Sequence, residues 1–227
     1  MRIGLGVVLL LCWTSVLSVW AEPEEIHDKG CRDCHRFSSL EQKSKEGPDL
    51  FYAGDKFHRN WLKGFLQLPV VIRKAVSVLD SDYHDGKAQT NQPHVVLTKD
   101  ESEKISDFLM TLHLPGLEMG KIDEELLSKG EQVRGKILFE RNFGCISCHQ
   151  TLNLAGKARG GVSGPSLVNS GLRLKSDWIF HWLKTPRKFL SKGRMPLYDL
   201  DEKTAILITK YILSIRTKPS GIRHRPQ

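Results

Sequence analysis

Apolar positions along the chain recur mostly with helical period. After Thr98, with Glu101 three positions on as a capping box, Ile105, Phe108, Leu109 and Leu112 fall on one helical face. Asp201 opens a similar segment with Ile206, Ile208, Tyr211, Ile212 and Ile215, whose β-branched residues make that helix depend on packing. Asp123 caps a predicted helix carrying Leu126, Leu127, Val133, Ile137, Leu138 and Phe139 as far as Gly144, with Gly130 and Gly135 costing it stability. From Glu22 to Gly30, with Pro23 at the first helical position, about two turns are expected. The run from Ile3 to Trp20 is apolar without period and ends Val19-Trp20-Ala21. It reads as an export signal over residues 1–21, or as a membrane anchor if it is retained.

The same landmarks occur twice. Gly47-Pro48-Asp49-Leu50, Trp61 and Pro69 reappear as Gly164-Pro165-Ser166-Leu167, Trp178 and Pro186, each 117 positions later. A constant offset over three landmarks marks a duplication. The offset falls to 103 for Pro93 and Pro196, so the first half has 14 extra residues between Pro69 and Pro93. This insertion, 70–92, carries Asp80, Asp82, His84, Asp85 and Gly86 and is where a function private to one half belongs. The helix-breaking stretch Leu114 to Gly120 divides a first unit, 22–117, from a second, 118–216; a basic tail, 217–227, follows.

Four of the five cysteines lie in two pentapeptides, Cys31-Arg-Asp-Cys34-His35 and Cys145-Ile-Ser-Cys148-His149, one in each unit. Cys-x-x-Cys-His reads as covalent c-type haem attachment: two thiols at this spacing reach the two vinyl groups while the adjacent imidazole meets the iron. The fifth, Cys12, sits in the export segment. The exported chain keeps no cysteine for a disulfide, which leaves haem and core to stabilise it, and a cysteine as an additional iron ligand is excluded.

Lys and Arg exceed Asp and Glu by 34 to 26, and removing the export segment takes only Arg2 from that count. Such a charge suits an acidic redox partner or an anionic surface. No basic motif interleaved with aromatics is present to suggest nucleic acid.

Cys-x-x-Cys-His, Gly-Pro-x-Leu, a tryptophan, and Met195-Pro196 before a terminal helix together resemble the class I c-type cytochromes, here in the tandem two-domain dihaem form. The resemblance covers nearly all of the exported chain. It implies an all-α fold of two tandem cytochrome c-like helical domains, each wrapped around one covalently bound haem c. It makes His35 and His149 the proximal ligands, Met195 the distal ligand of the second haem, and Pro48 and Pro165 the carbonyls that orient the histidines. Trp61 and Trp178 resemble the family aromatic near a haem propionate. At the first distal position the sequence departs from the pattern, since Gln92 stands where methionine is expected. The candidates are His94, His84 in the insertion and His58, or a site left open or occupied by Gln92; Met110 reads as core. His27, His113, His181 and His224 read as surface or helix residues.

The resemblance implies a periplasmic electron carrier, or the electron-transfer subunit of a periplasmic oxidoreductase. Its partners would be other periplasmic redox proteins or a membrane respiratory complex with an acidic docking face, and a membrane only if the N-terminal segment is retained. The alternative is a haem enzyme acting on a small molecule at the first haem, with His84, Asp82 and Asp85 as acid and base.

Overall fold

The computed structural model describes residues 21–41, 47–73, 94–123, 125–190 and 193–216. Residues 1–20 of the export segment, most of the insertion including His84 and Gln92, and the basic tail lie outside the described residues. Among the described residues the fold is mostly helical, with one two-stranded antiparallel ribbon, β1 (Thr151–Leu152) and β2 (Ala158–Arg159). Among the described residues no helix is long and apolar enough to cross a membrane.

The first half contains α1 (Glu24–Asp28), α2 (Cys31–Cys34), α3 (Ala53–Lys56), α4 (Arg59–Gln67) and α5 (Lys99–Met110). Thr98 and Glu101 form the expected capping box at the start of α5. Leu62 and Leu66, one turn apart on α4, are buried in one core with Ile105, Phe108 and Leu109 of α5. On the outer side Arg59 pairs with Asp107, and Lys63 reaches Glu103 at 2.8 Å. Pro23 stands one position earlier than expected, as N-cap, so α1 is shorter than two turns.

The second half contains α6 (Lys129–Ile137), α7 (Ser170–Arg173), α8 (Ser176–Lys184), α9 (Pro186–Phe189) and α10 (Glu202–Ser214), the last capped by Asp201 as expected. Asp123 does not start the helix before Cys145. It accepts a turn hydrogen bond from Glu125 N–H at 2.8 Å and pairs with Lys210, while Ser128 and Glu131 build a complete capping box at α6. That box satisfies two helix donors at once, which fixes the start there and leaves Leu126 exposed. The helix ends in a π turn, Leu138–Asn142, that buries Phe139. Gly135 has a packing reason for its propensity cost: a Cβ there would stand 2.8 Å from the Cβ of Tyr211, so the glycine lets α6 cross α10 closely.

Helices α3 and α4 begin 117 positions before α7 and α8, the offset read in the sequence. The halves meet where these pairs join. Phe57 and Leu174 form an antiparallel bridge, His58 N–H donates to Arg173 O at 3.0 Å, and Lys175 N–H donates to Lys56 O at 2.9 Å. Phe57 and Leu174, His58 and Lys175, and Lys56 and Arg173 are each 117 positions apart, so every contact is returned by its counterpart. A local twofold axis therefore passes through the Phe57–Leu174 pair. Beside it Tyr52 stacks on Trp178 with centroids 4.6 Å apart, and Phe189 completes an apolar cluster shared by both halves.

The linker is tied down by two buried carboxylates. Asp55 accepts from Leu114 N–H at 2.7 Å, and Asp177 accepts from the N–H groups of Gly120, Lys121 and Ile122 at 2.8, 2.8 and 3.1 Å. Asp177→Ala strips three donors of their acceptor and is expected to lower unfolding stability by about 3 kcal/mol, against about 1 kcal/mol for Thr98→Ala at the α5 cap. Denaturant midpoints measure both; equal losses would mean that the linker is not anchored by Asp177.

Candidate functional site

Each Cys-x-x-Cys segment is a single turn entered through a glycine at positive φ, Gly30 at 64° and Gly144 at 60°. The turn brings its two cysteines to one side. None of the four is in a disulfide; Cys31 and Cys145 are half-buried, and Cys34 and Cys148 are exposed. Burial raises the Cys31 thiol and pushes Cys145 up to about 11, so neither is a thiolate at neutral pH.

The histidine after each turn is fixed in the same way. His35 Nδ1–H donates to Pro48 O at 2.7 Å, and His149 Nδ1–H donates to Pro165 O at 2.7 Å. With Nδ1 so engaged, Nε2 is the nitrogen left for a metal. The preceding glycines make the approach possible, because a Cβ on Gly47 would stand 2.5 Å from His35 Cε1, and one on Gly164 2.6 Å from His149 Cε1. Burial lowers both imidazole pKa values, against the proline carbonyls that raise them, so the neutral ligand form prevails at pH 7.

Facing His35 is His94, with ring centroids 6.1 Å apart. Its Nδ1–H donates to Val95 O at 2.9 Å, which again leaves Nε2, and Phe65 packs beside it at 5.4 Å. A metal bonded to both rings at about 2.0–2.1 Å per nitrogen holds their centroids about 6 Å apart. Met195 is partly buried against the second core, and Trp182 Nε1–H donates to its sulfur at 2.9 Å. Of the other candidates, His58 gives its backbone N–H to the seam between the halves, and Met110 packs on the first core.

Trp61 and Trp178 lie at the seam. Trp61 stacks between Phe57 and Phe65, while Trp178 is buried against Tyr52 and Phe189. Each carries a cation from the opposite half: Arg173 is 5.9 Å from the Trp61 ring and Lys56 is 5.6 Å from the Trp178 ring. Burial lowers Arg173 to about 10. Burial first, then the charge of Arg173, pushes Lys56 down to about 8. Among the described residues neither cation is ion-paired with a carboxylate. These two are the site residues that motif reading missed, although both stand nine positions after the glycine of Gly-Pro-x-Leu. Trp182, whose indole N–H meets the Met195 sulfur, is the other.

Among the described residues no three His, Cys, Asp or Glu side chains converge as a metal cage. What the chain offers is a pair of thiols beside a fixed imidazole, twice over, with His94 near the imidazole of the first half. A haem fits that donor set, since its porphyrin fills four positions on the iron and leaves two for the protein. Its carboxylates would supply anions to Lys56 and Arg173, neither of which is ion-paired with a carboxylate among the described residues. No protein-family model, curated protein or solved structure matches the chain.

The Lys56 charge gives a test with a definite sign. Without a counter-anion, the folded chain releases this proton near pH 8 and the unfolded chain near 10.5, so wild type gains stability relative to Lys56→Met between those values. An anion at the seam reverses this: Lys56 then stabilises at neutral pH, and the advantage is lost as pH rises above 10.5. Denaturation of the purified protein and its Lys56→Met variant across pH is expected to follow the second course. A rise between pH 8 and 10.5 would mean that no anion is held there.

Proposed function

We propose that the chain is a tandem dihaem c-type cytochrome that moves electrons between periplasmic redox partners. The observation that carries this reading is the imidazole held through Nδ1 on a proline carbonyl directly after a Cys-x-x-Cys turn, at 2.7 Å in both halves. Cys31 with Cys34, and Cys145 with Cys148, serve as the covalent attachment points, and His35 and His149 as the proximal ligands. When bound, the haems supply reversible one-electron chemistry at iron.

His94 and Met195 complete the two ligand pairs. His94 near His35 would give two imidazoles in the first half, and Met195 with His149 would give thioether and imidazole in the second. Thioether favours the reduced metal, so the two ligand sets rank the halves, with electrons entering at the first and leaving from the second. Lys56 and Arg173 would hold anionic haem edges at the seam, where Tyr52 stacks on Trp178 across the halves. The facing pair His35 and His94 favours a carrier over an enzyme with an open first haem. The excess of Lys and Arg suits an acidic docking face on a redox protein or respiratory complex. Periplasmic location follows from the export pattern over residues 1–21.

Optical and electron paramagnetic resonance spectra of the oxidised protein, wild type against His94→Ala, test the reading. Two low-spin haems are expected in wild type, with the first alone turning high-spin in the variant. A first haem already high-spin in wild type would leave that site open and put the enzyme reading ahead.

A further inference from the structure

The two proximal loops are built alike but held differently. In the first half Arg36, which follows His35, makes a bidentate ion pair with Asp49, which follows Pro48; its Nε–H donates to Asp49 Oδ1 at 2.7 Å. This clamp joins the two strands of chain on either side of the His35–Pro48 hydrogen bond and lies largely out of water. The equivalent positions in the second half are Gln150, after His149, and Ser166, after Pro165. Neither is charged, so the clamp is missing there.

In its place stands chain from the other half. At the start of the insertion, Ile72 O accepts from Ser166 N–H at 2.7 Å, and Arg73 Nε–H donates to Ser163 O at 3.2 Å. The two bonds fall on either side of Gly164-Pro165, the dipeptide whose carbonyl holds His149. Pro165 has no N–H with which to tie itself down. A cleft of about 300 Å³ adjoins the crossing, lined by Val70, Val71 and Ile72 from the first half and by Gln150, Ser166 and Val168 from the second. Among the described residues the second half returns no such crossing to the first, the extra residues occurring only in the first.

We propose that Val70–Arg73 is a strap that replaces the missing Arg–Asp clamp, and that Arg73 is a positioning residue for His149, acting across the boundary between the halves through the carbonyl of Pro165. The insertion of the first half thus serves the iron site of the second. This inference rests on the dihaem reading, since it concerns the histidine that reading makes a ligand.

The test is hydrogen exchange of the two histidine Nδ1 protons, followed by nuclear magnetic resonance in the fully reduced, diamagnetic protein. Exchange reports the opening of the imidazole–carbonyl bond itself. In Arg73→Met the His149 proton is expected to exchange about tenfold faster while the His35 proton keeps its wild-type rate. Adding Gln150→Arg and Ser166→Asp, which installs the first half's clamp in the second, is expected to restore the slow rate. An unchanged His149 rate in Arg73→Met, or an equal increase at His35, would overturn the strap. A wild-type protein without haem absorption would overturn the dihaem reading and this inference with it, before any exchange is measured.

Discussion

A histidine ring that is to meet a metal must be held in one tautomer and one orientation, and in both halves a single hydrogen bond to a proline carbonyl does this. The rest of each half is arranged so that this bond can form. The glycine before the proline leaves room for the imidazole, where a Cβ would collide with the ring. The backbone N–H of that glycine returns to the second cysteine's carbonyl, at 2.8 Å from Gly47 to Cys34 and 2.7 Å from Gly164 to Cys148, so turn and loop form one unit. The closing helices α5 and α10 then supply the apolar surface on which each unit rests.

The seam between the halves sets a second constraint. Its backbone bonds are reciprocal, which is what a duplicated unit pairing with its own copy produces. The same symmetry places Lys56 and Arg173 over each other's tryptophans, two cations of like sign, Arg173 buried and Lys56 partly so. For the bare polypeptide this is unfavourable, as the downward shift of Lys56 records. Under the dihaem reading, anionic groups arriving with the cofactor would turn the same arrangement into an attractive one.

Much of this was legible in the sequence because it depends on local rules. The caps at Thr98 and Asp201, the apolar faces of α5 and α10, the duplication and the Cys-x-x-Cys-His turns all follow from spacing along the chain. Asp123 failed as a cap because two acceptable caps lie five residues apart and only the later one, Ser128, has Glu131 to complete a box. The other gaps are non-local. Trp182 meets Met195 only after α8 folds against the following loop, and Lys56 is unusual only once the opposite half covers it. Gln150 and Ser166 look unremarkable until they are compared with Arg36 and Asp49 and the strap is seen across them. For His94 the sequence supplied a short list, and the ring facing His35 distinguishes it among the described residues.

The most direct measurement of the central claim is the intact mass of the protein, produced by a host that attaches haem c, combined with alkylation of any free thiols. The dihaem reading predicts the mass of the exported chain plus two haems, with Cys31, Cys34, Cys145 and Cys148 all refractory to alkylation. The bare polypeptide mass with all four cysteines alkylated, from a host shown to load other c-type cytochromes, would contradict it.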